Sequence, residues 1–161
     1  MSLPKMITLN GFVGFTLIAA LVAMFGPSFP SLQEHFAISE AQVGLSLTAH
    51  FIGTFAGTLS AAFFRRWTLR SRLLTCSVIF VLGSFIIAFA PLWWIFLAGT
   101  AFRGFGAGLY FTDINALFAK GFGRRSAAIL GLVNAAYGAG SFFGPLIIGL
   151  FSGDYRFPFM L

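Results

Sequence analysis

Charged side chains are scarce in this chain: only 9% of its 161 residues are Asp, Glu, Lys or Arg, whereas 58% are hydrophobic. A soluble domain carries about 25% charged residues because its surface faces water. The composition therefore excludes a soluble enzyme, a soluble nucleic-acid-binding domain and a disordered chain. Cysteine is equally scarce. Cys76 stands alone, which excludes an internal disulfide, and no group of His and Cys has metal-ligand spacing, so neither a metal nor a cofactor is expected.

Long apolar runs dominate the sequence instead. A helix needs about 20 apolar residues to cross the hydrocarbon core of a bilayer, and five runs reach roughly that length. They are residues 6–26, 43–64, 73–90, 92–118 and 127–151. Residues 157–161 resemble the opening of a sixth helix, although five residues do not cross a bilayer. The predicted fold class is an all-α membrane protein, a polytopic helical bundle in which residues 1–161 form a single transmembrane domain.

The positions of the cations predict the orientation of this bundle. With a cytoplasmic N-terminus, Arg156 is the one Lys or Arg outside the membrane and Arg103 lies within a span. The other eight then face the cytoplasm: Lys5, Arg65, Arg66, Arg70, Arg72, Lys120, Arg124 and Arg125. Short cytoplasmic loops are enriched in Lys and Arg. We therefore expect a multi-pass protein of the plasma (inner) membrane with its N-terminus inside, and the net charge of +6 requires no nucleic-acid partner.

The end of the second run carries a loop motif. It resembles the G-x-L-x-D-R-x-G-R-R loop between helices 2 and 3 of the major facilitator superfamily. Four positions fit this pattern: Gly57, Leu59, Arg65 and Arg66. Three positions depart from it, because Ala61 and Ala62 replace the acid and the base, and Phe64 replaces the second glycine.

Two further motifs support the resemblance. In the fourth run, Arg103 precedes a glycine-rich stretch similar to the family's intramembrane arginine motif. In the fifth run, Gly131 is followed after eight residues by Gly140 and after three more by Gly144-Pro145, which is similar to the family's helix-5 motif. The resemblance covers nearly the whole chain. It implies helices 1–5 and the start of helix 6 of a transporter with two six-helix bundles, each built from two inverted three-helix repeats.

The resemblance implies a secondary active transporter, or the N-terminal half of one, that works by alternating access. Its partners would be the lipid bilayer, a small organic solute, a coupling proton, and a second half-transporter or a continuation of the chain. The alternative is a truncated or small non-transporting membrane protein that assembles with other helices. An enzyme is not expected, because Asp113 is the one acid within the spans, His50 is the one mid-span histidine, and no H-E-x-x-H or G-x-S-x-G motif occurs.

Two charged residues inside the fourth span are the first site candidates, since intramembrane charge is costly and usually functional. Arg103 either contacts a substrate anion or the coupling proton in a central cavity, or is held by backbone carbonyls as a packing residue. Asp113 lies about 15 Å further along the helix, so it needs a different partner. It forms a cytoplasmic latch with Arg65 or Arg66, in place of the acid missing at Ala61, or it carries the proton itself.

Uncharged polar residues and small residues complete the candidate set. His50 is expected to hydrogen-bond to a neighbouring helix rather than to titrate. Other polar groups line a central cavity or join helices: Asn10, Asn115, Asn134 and Tyr137. The pairs Gly53/Gly57 and Gly140/Gly144, each on one helix face, allow close packing. Together with the bend expected at Pro145, they fit either a helix that rocks or a static contact.

Overall fold

The computed structural model describes residues 5–150 and Arg156. Within this part of the chain the structure is all-α, with no β-strand and with short turns between the helices, as the composition predicted. The helices are α1 (Lys5–Ala23), α2 (Phe25–Phe36), α3 (Glu40–Ser60), α4 (Leu69–Ala88), α5 (Trp93–Gly121) and α6 (Ser126–Leu150). Short 3-10 turns, Phe63–Arg66 and Gly123–Arg125, lie in the connections before α4 and α6.

Four of the five predicted spans coincide with α3 to α6 to within four residues at either end. Three described segments are long and apolar enough to cross a membrane: Lys5–Ala23, Leu69–Ala88 and Gly123–Ile148. Helices α3 and α5 are 21 and 29 residues long but contain the polar candidates His50, Arg103 and Asp113. Their crossing of the membrane stays a prediction, and the proposed sixth helix at 157–161 lies outside the described residues.

The first predicted span differs most from the structure. We expected the helix to end at Gly26, but after a one-residue break at Met24 the chain continues as α2 to Phe36. Pro27 is the third residue of α2, and backbone N–H groups in the first turn of a helix have no intrahelical partner, so proline is tolerated there. Helix α2 ends where Ala37 adopts a left-handed conformation, with φ of 50°. The outer connection to α3 is therefore much shorter than the sequence indicated.

Glycines bring α3 and α5 into direct backbone contact. A Cβ added at Gly53 would collide with the Ala101 carbonyl, and one added at Gly57 would collide with the Phe105 carbonyl. On the other side, Gly108 of α5 lies against the backbone of α3 in the same way. Because residue numbers increase together along both helices, α3 and α5 are parallel. Lipid gives helices no hydrophobic reason to associate, so close packing of small residues supplies much of their attraction.

The same construction joins α6 to α1. Gly140 lies against the carbonyl of Thr16, and Gly144 lies against that of Ala20, so these two helices are also parallel and separated only by backbone atoms. Helix α4 packs on α5 in the antiparallel sense, with Gly83 against the backbone of Arg103. The α3–α5 and α1–α6 pairs thus have glycines at the same four-residue spacing. Such a repeated helix contact is expected of a bundle that is built from inverted repeats.

Substitution of Gly53 by alanine should separate α3 from α5. The added methyl group has no space beside the Ala101 carbonyl, and overpacking of this kind costs about 1–3 kcal/mol. We expect a lower melting temperature in detergent, measured by fluorescence-detected size-exclusion chromatography. Gly44→Ala on the same helix is the matched control, because nothing lies within 4 Å of its added Cβ. Equal melting temperatures for the two variants would contradict the backbone contact.

Candidate functional site

Asp113 forms an ion pair with Arg72. A guanidinium nitrogen of Arg72 lies 3.0 Å from a carboxylate oxygen of Asp113, and their side chains are 20% and 6% exposed. The expected partners, Arg65 and Arg66, are instead exposed in the 3-10 turn that precedes α4. The prediction of the partner was therefore wrong. Arg72 lies in the first turn of α4, and the antiparallel packing of α4 on α5 places that turn beside Asp113.

A hydrogen bond joins α1 to the same end of α5. The Tyr110 hydroxyl donates to the Asn10 backbone carbonyl at 2.6 Å and lies 3.0 Å from the Asn10 side-chain oxygen. Gly14 lies directly over the Tyr110 hydroxyl, where a Cβ has no space. Asn10 therefore joins two helices, and α1, α4 and α5 are connected by polar contacts in the half of the bundle that contains Arg72 and Asp113.

Arg103 is enclosed by aromatic rings. Its side chain is fully buried, with the guanidinium carbon 4.8 Å from the centroid of the Phe25 ring and 5.6 Å from that of Phe80. A cation over an aromatic face is stabilised by the ring quadrupole, most strongly where water is excluded. Phe25 begins α2 and Phe80 belongs to α4, so Arg103 connects three helices. The structure places this charge inside the bundle rather than on an open cavity surface.

His50 lies near Arg103 on α3 and is 2% exposed. Its ring centroid is 6.3 Å from that of Phe25, and its backbone carbonyl lies against Gly104 of α5. This contact crosses the α3–α5 interface one turn from the backbone contact at Gly53. The histidine is thus enclosed in the helix contact.

The remaining polar candidates lie on α5 and α6. Tyr137 is half-buried and packs edge-to-face against Phe111, with ring centroids 5.7 Å apart. Phe15 of α1 supports both rings, at 4.8 Å from Phe111 and 6.4 Å from Tyr137. Asn134 is exposed, and its amide nitrogen donates to the Leu130 carbonyl at 2.7 Å. Asn115 is half-buried on α5.

The glycine motif residues divide between two faces of α6. Gly140 and Gly144 contact α1, and Pro145 follows them within the helix. Gly131 lies nine residues before Gly140, which corresponds to half a rotation at about 100° per residue, and nothing lies within 4 Å of its added Cβ. In the loop motif, Gly57 is likewise buried against α5, whereas Leu59 is 59% exposed.

An open cavity of about 490 Å³ lies between α1 and α4. Gly106 and Tyr110 of α5 form part of its lining, together with Cys76 on α4 and Leu17 on α1. The surface is mainly apolar, but it includes Asn10, which the sequence predicted to line a cavity or to join helices. Within residues 5–150 and Arg156, no group of three or more His, Cys, Asp and Glu side chains could hold a metal ion.

Comparison with known proteins agrees with this architecture. A profile of the Major Facilitator Superfamily matches residues 11–161. The chain is 27% identical over 153 residues to the uncharacterized MFS-type transporter YcaD of Escherichia coli O45:K1 (strain S88 / ExPEC), which covers 94% of this chain and 39% of that protein. It is 30% identical over 150 residues to the MFS-type transporter grgE of a Penicillium species, covering 86% of this chain and 26% of that protein. The chain thus spans well under half the length of these relatives.

The Arg72–Asp113 ion pair should stabilise the bundle. Asp113→Asn and Arg72→Gln should each lower the free energy of unfolding by about 1–3 kcal/mol, less than for a fully buried pair because Arg72 is partly exposed. The double variant should lose less than the sum of the two single losses, measured by thermal unfolding in detergent. Arg65→Gln, at an exposed position, is the control. Strict additivity of the two single effects would show that the residues do not interact energetically.

Proposed function

Because its residues 11–161 match the family profile, this chain belongs to the major facilitator superfamily, and we propose that it forms the N-terminal half of a secondary active transporter. The relatives carry the name of MFS-type transporters, and transporters of this kind move small molecules across membranes. In the proposed mechanism, two bundles rock about a site near the membrane midplane, as in other transporters built from inverted repeats. We propose no catalytic role and no cofactor.

The observation that carries this proposal is a set of polar groups on incompletely covered helix faces. Asn134 and Tyr137 lie near the middle of α6, and Asn115 lies on α5, yet each is at least partly exposed. Polar groups at this depth are costly unless they face a partner or an aqueous cavity. A site formed half by this bundle and half by a second one satisfies both requirements.

The exposed faces of α3 and α6 provide the surface for that second bundle. Each carries large apolar side chains that are more than half exposed. On α3 these are Phe51, Ile52, Phe55 and Leu59, and on α6 they are Leu132, Phe142, Phe143 and Leu146. These faces are turned away from the contacts made by the buried glycines, so a second bundle can approach without disturbing the α3–α5 and α1–α6 pairs.

The cavity between α1 and α4 favours a continuation of the chain over a small self-contained protein. The contact of α6 with α1 is equivalent to the contact of α3 with α5. Helix α4 covers a second face of α5, but the equivalent face of α1 borders the cavity. A guanidinium nitrogen of Arg156 lies 3.2 Å from the His35 ring nitrogen, so Arg156 lies beside the last turn of α2. We propose that a sixth helix, supplied by a continuation of the chain, fills the cavity.

Asp113 and Arg72 are the proposed coupling elements. A carboxylate that gains a proton loses its attraction for a guanidinium, so protonation of Asp113 would release α4 from α5 at the cytoplasmic end. In this proposal the Arg72–Asp113 ion pair is both the cytoplasmic latch and the proton carrier. Among the described acids, Glu34 and Glu40 lie at the outer ends of α2 and α3 and cannot take this role.

Accessibility of residue 134 tests alternating access. In the full-length product with Cys76→Ser, a cysteine replacing Asn134 should react with a membrane-impermeant maleimide in right-side-out vesicles and also in inverted vesicles, because a midplane site opens to each side in turn. Val78→Cys is the control; Val78 is 55% exposed on α4 and should face lipid, so it should react in neither preparation. Labelling of residue 134 from one side alone, or from neither, would reject the transport cycle.

Reporter fusions test the proposed orientation in the inner membrane. Alkaline phosphatase, which is active only outside the cytoplasm, should be active when fused after Leu161 and inactive when fused after Arg125, because the positive-inside rule places five crossings before the first position and four before the second. Enzyme activity per amount of fusion protein is the measurement. The reverse pattern would invert the proposed topology.

A further inference from the structure

The relative direction of α5 and α6 aligns four side chains. Helix α6 is parallel to α1, as the contacts of Gly140 with Thr16 and of Gly144 with Ala20 show. Helix α1 is antiparallel to α5, because Gly11 lies against Phe118 whereas Gly14, later in α1, lies against Tyr110, earlier in α5. Helices α5 and α6 are therefore antiparallel, and the ring contact between Phe111 and Tyr137 fixes their register.

Two amides lie beside this ring pair. Asn115 follows Phe111 by four residues and Asn134 precedes Tyr137 by three, so each amide shares a helix face with a ring. Asn115 lies about 6 Å beyond Phe111 along α5, and Asn134 lies about 4.5 Å before Tyr137 along α6. Because the two helices are antiparallel, both amides are displaced from the ring pair in the same direction. We name this surface, formed by Phe111, Asn115, Asn134 and Tyr137, the aromatic–amide face. Its four residues are half-buried or exposed.

The aromatic–amide face is poor in charge. Helix α6 contains no charged residue, and α1 contains only Lys5 at its start. On α5, Asp113 is directed to Arg72 of α4, Arg103 is enclosed by Phe25 and Phe80, and Lys120 lies in the last turn of the helix. Transfer of an ion to a low-dielectric site costs far more than transfer of a neutral hydrogen-bonding group. A charged ligand at this surface would have no counter-charge among the neighbouring described residues of α1 and α6.

We propose that the aromatic–amide face binds a flat, uncharged aromatic solute that carries a hydrogen-bonding edge. Its ring system packs against Phe111 and Tyr137, since aromatic pairs attract in offset or edge-on geometry. Its polar edge meets Asn115 and Asn134, of which Asn134 retains its carbonyl oxygen as an acceptor beside the bond from its nitrogen to Leu130. This assignment of a substrate class rests on the transport function proposed above.

Three naphthalene derivatives with the same ring test this assignment: neutral 1-naphthamide, anionic 1-naphthoate and cationic 1-naphthylmethylammonium. Their dissociation constants are measured by equilibrium dialysis against the full-length product in lipid nanodiscs, with empty nanodiscs subtracted. We expect 1-naphthamide to bind at least about tenfold more tightly than either ion, which corresponds to about 1.4 kcal/mol. Equal affinities, or tighter binding of an ion, would overturn the proposal.

Variants locate the binding. Tyr137→Leu should weaken 1-naphthamide binding about tenfold through loss of the ring contact, whereas Tyr137→Phe should retain it. Asn134→Leu should abolish the preference for 1-naphthamide over unsubstituted naphthalene. Phe142→Leu is the control, because Phe142 is 70% exposed on α6 and lies outside the aromatic–amide face. If Phe142→Leu weakens binding as strongly as Tyr137→Leu, the proposed site is wrong.

The labelling of residue 134 from both sides separates this proposal from the transport function. Two-sided labelling together with no selective binding of 1-naphthamide would overturn the substrate class and leave alternating access supported. One-sided labelling together with selective binding would overturn alternating access and support the aromatic–amide face. The variants are compared only at equal melting temperature, and Asn134→Leu, at an exposed position, supplies the measurement if Tyr137→Leu does not fold.

Discussion

Direct backbone contact between helices is the constraint on which the bundle depends. Hydrocarbon surrounds every helix equally, so α3 and α5, and α1 and α6, gain by close approach rather than by escape from water. Gly53 and Gly57 permit this approach on α3, and Gly140 and Gly144 permit it on α6. Each glycine pair occupies one face of its helix. The opposite faces, with their exposed apolar side chains, consequently remain available to another part of the protein or to lipid.

The charges inside the bundle follow from the same packing. Once α4 lies on α5, Arg72 reaches Asp113, and the guanidinium of Arg103 lies between Phe25 and Phe80. Each charge is therefore stabilised within this bundle, as intramembrane charges require. The surface between α5 and α6 is left with rings and amides, and this is why we assign it to an uncharged solute.

Much of the fold was predictable because hydrophobic run length is a local property of sequence. The limits of α3 to α6 agreed with the predicted runs to within four residues. Helix α2 was missed because the first span was predicted to end at Gly26, although Pro27 falls in the first turn of α2, where its missing N–H costs little. The candidate site was predicted less well, since Arg72 was counted only among the cytoplasmic cations and not as the partner of Asp113, and neither Phe25 nor Phe80 was linked to Arg103.

The sequence by itself determined the membrane class, the approximate limits of α3 to α6 and the family, because composition, run length and motif spacing are written along the chain. It also singled out Arg103, Asp113 and the glycine pairs as unusual residues within apolar runs. Only the tertiary structure decided which residues meet. The partner of Asp113, the aromatic enclosure of Arg103 and the alignment of Asn115 with Asn134 depend on how helices distant in sequence rotate and pack against one another, and run length carries no information about that rotation.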